Sequence, residues 1–135
     1  MAIVVGYVPT REGRAALQRA ARECELRTTR LIVVSSNRGG KQYDAEQAER
    51  FERELGAVAD RLADLGLEHD VRHIVRGNDP TEDLLQVADE VQAEFIVIGL
   101  RRRTPVGKLI LGSNAQRILL DATCPVLAVK ADEDD

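Results

Sequence analysis

The chain has 135 residues, a length that suits one domain and needs neither disulfides nor metal to bury a core. A net charge of −4, two Phe, two Tyr and no Trp exclude the basic, aromatic-studded surface of a general nucleic-acid binder, and they leave Val, Ile, Leu and Ala to build the interior. Cys24 and Cys124 lie far apart and outside any metal-binding spacing, so they read as reduced thiols of a cytoplasmic protein; the opening Ala2-Ile3-Val4-Val5 run has neither the basic flank nor the length of a signal peptide or a membrane span.

Ile3-Val4-Val5 opens as a strand. Thr10 offers a helix cap, and Ala16, Leu17, Ala20, Ala21 and Cys24 recur behind it at helical spacing. Thr29 to Val34, rich in β-branched residues, reads as a second strand, and the polar stretch from Ser35 to Tyr43, with Gly39-Gly40 inside it, reads as a loop. Asp44 starts the second helix, with Gln47 placed to close a capping box. Phe51, Leu55, Val58, Leu62 and Leu65 then form one apolar face, which Gly66 ends. Val71 to Val75 is the third strand. Asp79-Pro80-Thr81-Glu82 supplies a cap, a proline at the first helical position and an acid in the first turn, ahead of Leu84, Val87, Ala88 and Val91 on one face. Phe95-Ile96-Val97-Ile98, ending at Gly99, is continuously apolar, the pattern of a strand buried on both faces of a parallel sheet. A long loop leads to Gly112. Ser113 and Gln116 fit a capping box for a helix carrying Ala115, Ile118, Leu119 and Ala122, Pro125 breaks it, and Val126-Leu127-Ala128-Val129 is the fifth strand.

This order predicts the α/β class: a single doubly wound five-stranded parallel sheet with helices on both faces. One domain is expected over residues 1–131, followed by an acidic tail, Asp132 to Asp135, expected to be disordered. Ligands of such folds sit outside the carboxyl ends of the strands where the winding reverses, which points to the loops after the first and fourth strands. The last strand is apolar and closes the chain, so it is expected at a sheet edge that needs a partner or a cover.

The segment Gly99-Leu-Arg-Arg-Arg-Thr-Pro-Val-Gly-Lys-Leu-Ile-Leu-Gly112-Ser113 resembles the universal stress protein signature, which reads Gly, two residues, Gly, nine residues, then Gly with Ser or Thr. The Cys-Pro-Val-Leu-x-Val run from Cys124 to Val129 resembles the family's closing strand, and the likeness extends from Ile3 to Lys130. The resemblance implies a fold like that of the adenine-nucleotide alpha hydrolases and a cytoplasmic stress-response module that binds ATP or another adenine nucleotide, with Mg2+ accompanying ATP only. It implies a site built from Val8, Pro9 and Thr10 after the first strand, Val34 at the end of the second, Ile98, Gly99, Arg101 and Arg102 at the fourth, and Gly112, Ser113 and Asn114 at the helix start. The physical logic is that of an anion site, because a helix N-terminus carries free N–H groups and about half a positive charge. Family members commonly pair through the last strand, so a homodimer through Val126, Leu127, Ala128 and Val129 is expected.

Three positions depart from the family pattern. Val8 falls where the family has the acidic residue that contacts the nucleotide, Arg102 replaces the middle glycine of the signature, and Ala115 replaces a hydroxyl residue. Losing a charged hydrogen bond costs about 1.5–3 kcal/mol, so phosphate count is expected to govern affinity, with poor discrimination among bases. Arg102 either fills the phosphate space or binds phosphate through its guanidinium, and Arg101, Arg103 and Lys108 add positive charge. The alternative is a family member without nucleotide, acting through protein–protein contacts with a partner the sequence does not name. Plainer readings stand beside each residue: Ser113 as a helix cap, Gly99 and Gly112 as turn residues, the arginines as a solvated loop. His69 and His73 are four apart, which on a strand is about 13 Å and too far for one ion, so both read as surface histidines. No nucleophile elbow, His-Glu-x-x-His or Walker pattern occurs, so neither catalytic residues nor a metal site is expected, and neither nucleic acid nor membrane is expected as a partner.

Overall fold

The elements run β1 (Ala2–Gly6), α1 (Arg11–Arg27), β2 (Arg30–Asn37), α2 (Ala45–Asp64), β3 (His69–Val75), α3 (Pro80–Val91), β4 (Phe95–Leu100), α4 (Ser113–Asp121) and β5 (Val126–Lys130). They are seen in a computed structural model that describes residues 1–37, 45–75, 79–101 and 112–131. The Asp44 cap, Gly39-Gly40, Arg102, Arg103, Lys108 and the acidic tail therefore lie outside the described residues. The strands form one parallel sheet in the order β3-β2-β1-β4-β5. Ile3 is in register with Leu31 on one side and Phe95 on the other. The predicted α/β class and five-stranded parallel sheet are what is observed.

Strand alternation divides the interior in two. Ile3, Val5, Leu31, Val33 and Val97 face α1 and α2, meeting Ala16, Leu17, Ala20 and Cys24 of the first helix and Leu55, Val58 and Leu62 of the second. Val4, Ile32, Val34, Ile96 and Ile98 face α3 and α4, meeting Leu84, Val87, Ala88 and Ile118. The strands with continuous apolar runs, β1, β4 and the first half of β2, are covered on both faces.

The helix signals act where the sequence puts them. Thr10 caps α1 by accepting from the Gly13 N–H at 3.1 Å, and Asp79 caps α3 by accepting from the Thr81 N–H at 2.8 Å. Gly66, at φ 68°, takes the left-handed conformation that turns the chain after α2.

Several boundaries differ from the sequence reading. β2 continues through Ser35, Ser36 and Asn37, which pair with His73, Ile74 and Val75 of β3. Polar side chains end an apolar run, yet the parallel backbone ladder carries the strand on. β3 starts two residues early, at His69, because an edge strand tolerates polar residues. The residue capping α4 is Gly112, with Ser113 as the first helical residue and no side-chain cap hydrogen bond. A hydroxyl at that position sits one residue too late to receive the N-terminal amides.

Candidate functional site

β2, β1 and β4 end side by side, and the order of winding reverses between β1 and β4. α1 leaves β1 toward one face of the sheet while α3 and α4 cover the other, which opens a crevice at the carboxyl edge. A cleft of about 280 Å³ lies there. Its floor is apolar, made by Val34, Leu84, Ile98 and Ile118, all buried. Its rim is polar: Ser36 and Thr81 at the β2–α3 end, Glu12 beside β1, and Gly99, Arg101, Gly112 and Asn114 at the β4–α4 end. An apolar bed with a few polar groups at its ends suits a flat, partly polar small molecule.

Two glycines let the backbone close around this cleft. A Cβ at Gly13 would stand 1.8 Å from the Val8 carbonyl oxygen, and one at Gly99 would stand 2.1 Å from the Glu12 carbonyl oxygen. Only hydrogen fits at either place, so the first turn of α1 lies directly against the end of β4 and against its own entry loop.

The helix N-termini at this edge differ in what they leave open. α1 is capped by the Thr10 hydroxyl and α3 by the Asp79 carboxylate. α4 begins at Gly112, whose missing side chain leaves the first N–H groups of that helix without a side-chain cap. Arg117 on the same helix is engaged elsewhere, 3.3 Å from Asp79 and 2.9 Å from Glu82. Its hydrogen bond to Glu82 raises the guanidinium above its ordinary value; burial opposes this, and the charges of Glu82, Asp79 and Asp121 add to it. Arg101 is the exposed cation at the rim among the described residues lining the cleft. Burial pushes the phenol of Tyr7, which lines the cleft just past the end of β1, above its ordinary value; the Glu54 charge raises it further, and Arg14 opposes.

Of the residues singled out in the sequence, Val8, Val34, Ile98, Gly99, Arg101, Gly112 and Asn114 line the cleft, and so does Ala115. Pro9, Thr10 and Ser113 do not line it, and Thr10 spends its hydroxyl on the cap. Arg102 lies outside the described residues. Sequence reasoning passed over Ser36, Thr81, Glu12 and Leu84. Ser36 was legible in principle: two residues beyond Val34 on the same strand it must share that face, but only if the strand continues. His73 is half-buried rather than a surface group. Its ring centroid lies 4.7 Å from that of Phe51, and its Nε2 is buried without a hydrogen-bond partner. Among the described residues no group of three or more His, Cys, Asp or Glu side chains gathers to hold a metal, and no helix is long and apolar enough to cross a membrane.

The sequence pattern described as the universal stress protein family matches residues 1–130. A universal stress protein of Mycolicibacterium smegmatis is 46% identical over 130 residues, covering 95% of this chain and 96% of its own. Among solved structures, a universal stress protein from Archaeoglobus fulgidus superimposes with a TM-score of 0.82 at 37% identity, covering 96% of this chain and 98% of that one. A universal stress protein from the same organism, solved in complex with dAMP, gives a TM-score of 0.76 at 31% identity, with 96% and 98% covered.

Proposed function

Because the chain belongs to the universal stress protein family, we propose that it is a cytoplasmic binding and regulatory module that takes an adenine nucleotide in the cleft between β1 and β4. The observation that carries this reading is the cleft itself: an apolar bed at the topological switch point, with an uncapped helix N-terminus opening on one end. The relative solved with dAMP supports it. Phosphates belong at Gly112 and Asn114, near Arg101, and the base belongs over Val34 and Ile98. A triphosphate would bring its own Mg2+. Among the described residues lining the cleft there is no histidine or cysteine to serve as base or nucleophile, and the role we assign is binding rather than turnover.

A second reading, contact with another protein, is favoured by Leu119 and Leu120, adjacent on α4 and exposed to 42% and 82%. Titration calorimetry with ATP and AMP at two salt concentrations separates the two. Nucleotide binding that strengthens with phosphate count and weakens with salt supports the first. No heat of binding at millimolar nucleotide leaves the second.

A further inference from the structure

Ser36 sits on the β2 end of the cleft, on the same side of the sheet as Val34, and its hydroxyl donates to the Asp83 carboxylate on α3 at 2.6 Å. Asp83 is 3% exposed and does not itself line the cleft, so among the described residues its charge is presented to the cavity through Ser36. A serine hydroxyl has one proton and two lone pairs. With the proton committed to a carboxylate in a short, charge-assisted bond, only lone pairs remain to face a ligand. Ser36 is thereby an acceptor and not a donor.

β2 and β4 are two strand spacings apart, about 10 Å. A ligand whose phosphate lies at Gly112 beyond β4 therefore carries its base toward β2. We propose that the Ser36–Asp83 pair is the specificity element of this site, and that it selects 6-aminopurine nucleotides over 6-oxopurine nucleotides by accepting from the exocyclic amino group. This rests on the nucleotide reading above. A 6-oxo group would set its own lone pairs against those of Ser36, and both oxygens would lose their water without gaining a proton. The pair also supplies discrimination that the uncharged Val8 does not: the acid sits one strand over, behind a hydroxyl.

AMP and IMP carry the same ribose and the same phosphate, so the ratio of their affinities isolates the base. Calorimetric titration of the full chain should give AMP tighter than IMP by about tenfold or more. Ser36→Ala should bring the ratio to within about twofold, and Ser36→Thr, which keeps the hydroxyl, should preserve it. Asp83→Asn is the sharper test. The amide can donate to Ser36 and free its proton for the ligand, so IMP should gain while AMP loses, whereas a purely structural role for Asp83 would weaken both alike. Thermal melts with each variant confirm that it folds. Equal AMP and IMP binding by the unaltered chain overturns this inference and leaves the nucleotide reading standing. A tenfold preference that survives both Ser36→Ala and Asp83→Asn also overturns it. Absence of binding by either nucleotide at millimolar concentration overturns both.

Discussion

Replacing Gly99 by alanine tests whether the cleft depends on the backbone contact between β4 and α1. The new methyl would stand 2.1 Å from the Glu12 carbonyl oxygen and 2.9 Å from the Glu12 Cβ. Ordinary contact begins near 3.4 Å, so the backbone of the first turn of α1 must retreat by about 1.3 Å. It has little room to do so: Gly13, one residue on, is itself pressed against the Val8 carbonyl, and Ala16, Leu17 and Ala20 are locked into the core. Overpacking costs about 1–3 kcal/mol, and a clash with backbone rather than with a rotatable side chain belongs at the upper end. A loss of about 3 kcal/mol is a large part of the 5–15 kcal/mol that holds an ordinary domain, and it should lower Tm by roughly 10 °C.

Urea unfolding followed by far-ultraviolet circular dichroism measures the loss. Gly56→Ala is the matched control, because a Cβ there meets nothing within 4 Å and the residue is an exposed position inside α2. It should stabilise by about 0.5–1 kcal/mol. Because Glu12 and Gly13 line the cleft, Gly99→Ala should also weaken nucleotide binding at temperatures where the variant is fully folded. A destabilisation below about 0.5 kcal/mol would refute the reasoning, since it would mean the two backbones separate without cost.

Ser35, 1% exposed, keeps its hydroxyl buried without a partner, so Ser35→Ala should raise stability by about 0.5–1 kcal/mol in the same urea assay; a loss would show that the hydroxyl is satisfied in solution. Burial, with smaller contributions from Glu94 and Glu23, pushes the Cys24 thiol from 9.0 up to about 12. Its contribution to stability is therefore complete below pH 9 and is lost between pH 9 and about 12, as the unfolded chain ionises first. The slope is up to about 1.4 kcal/mol per pH unit, and Cys24→Ala should remove that slope; identical slopes in both proteins would sink the assignment. β5 is an edge strand, so a homodimer formed across it should sediment at twice the chain mass, and Leu127→Lys should shift it toward monomer without unfolding it; a monomer before substitution rules the pairing out.

What the sequence disclosed followed burial. β1 and β4 carry apolar residues at successive positions because both faces are covered, and that run is visible in any reading of the chain. Thr10 and Asp79 were legible as caps because their chemistry is local, needing only an amide two or three residues on. The end of β2 was not legible. Ser35-Ser36-Asn37 has the composition of a loop, and what keeps it extended is pairing with His73, Ile74 and Val75, nearly forty residues away in the chain. The site inherited the error, because a strand ended at Val34 never brings Ser36 to the cleft. His73 was misplaced for a related reason: nothing local says that Phe51 of α2 will cover it.

The distribution of charge at the carboxyl edge follows from these placements. Of the helices that start there, α1 and α3 satisfy their own N-termini with Thr10 and Asp79, while α4 starts on a glycine. The acids at the start of α3 are already used, the capping Asp79 and Glu82 by Arg117 and Asp83 by Ser36. An incoming phosphate therefore meets an open helix dipole at β4 and faces no free carboxylate of α3. If Val8 were an acid, it would stand at the rim of the same small cleft, 48% exposed as the valine is. Under the proposed arrangement the cleft has no need of it: Asp83 is screened by the hydroxyl it holds, so it polarises the base end without opposing the phosphate end. Val8→Asp should accordingly add little to the preference for AMP over IMP, whereas Asp83→Asn should abolish it. The opposite ranking of these two variants would return base recognition to the β1 loop.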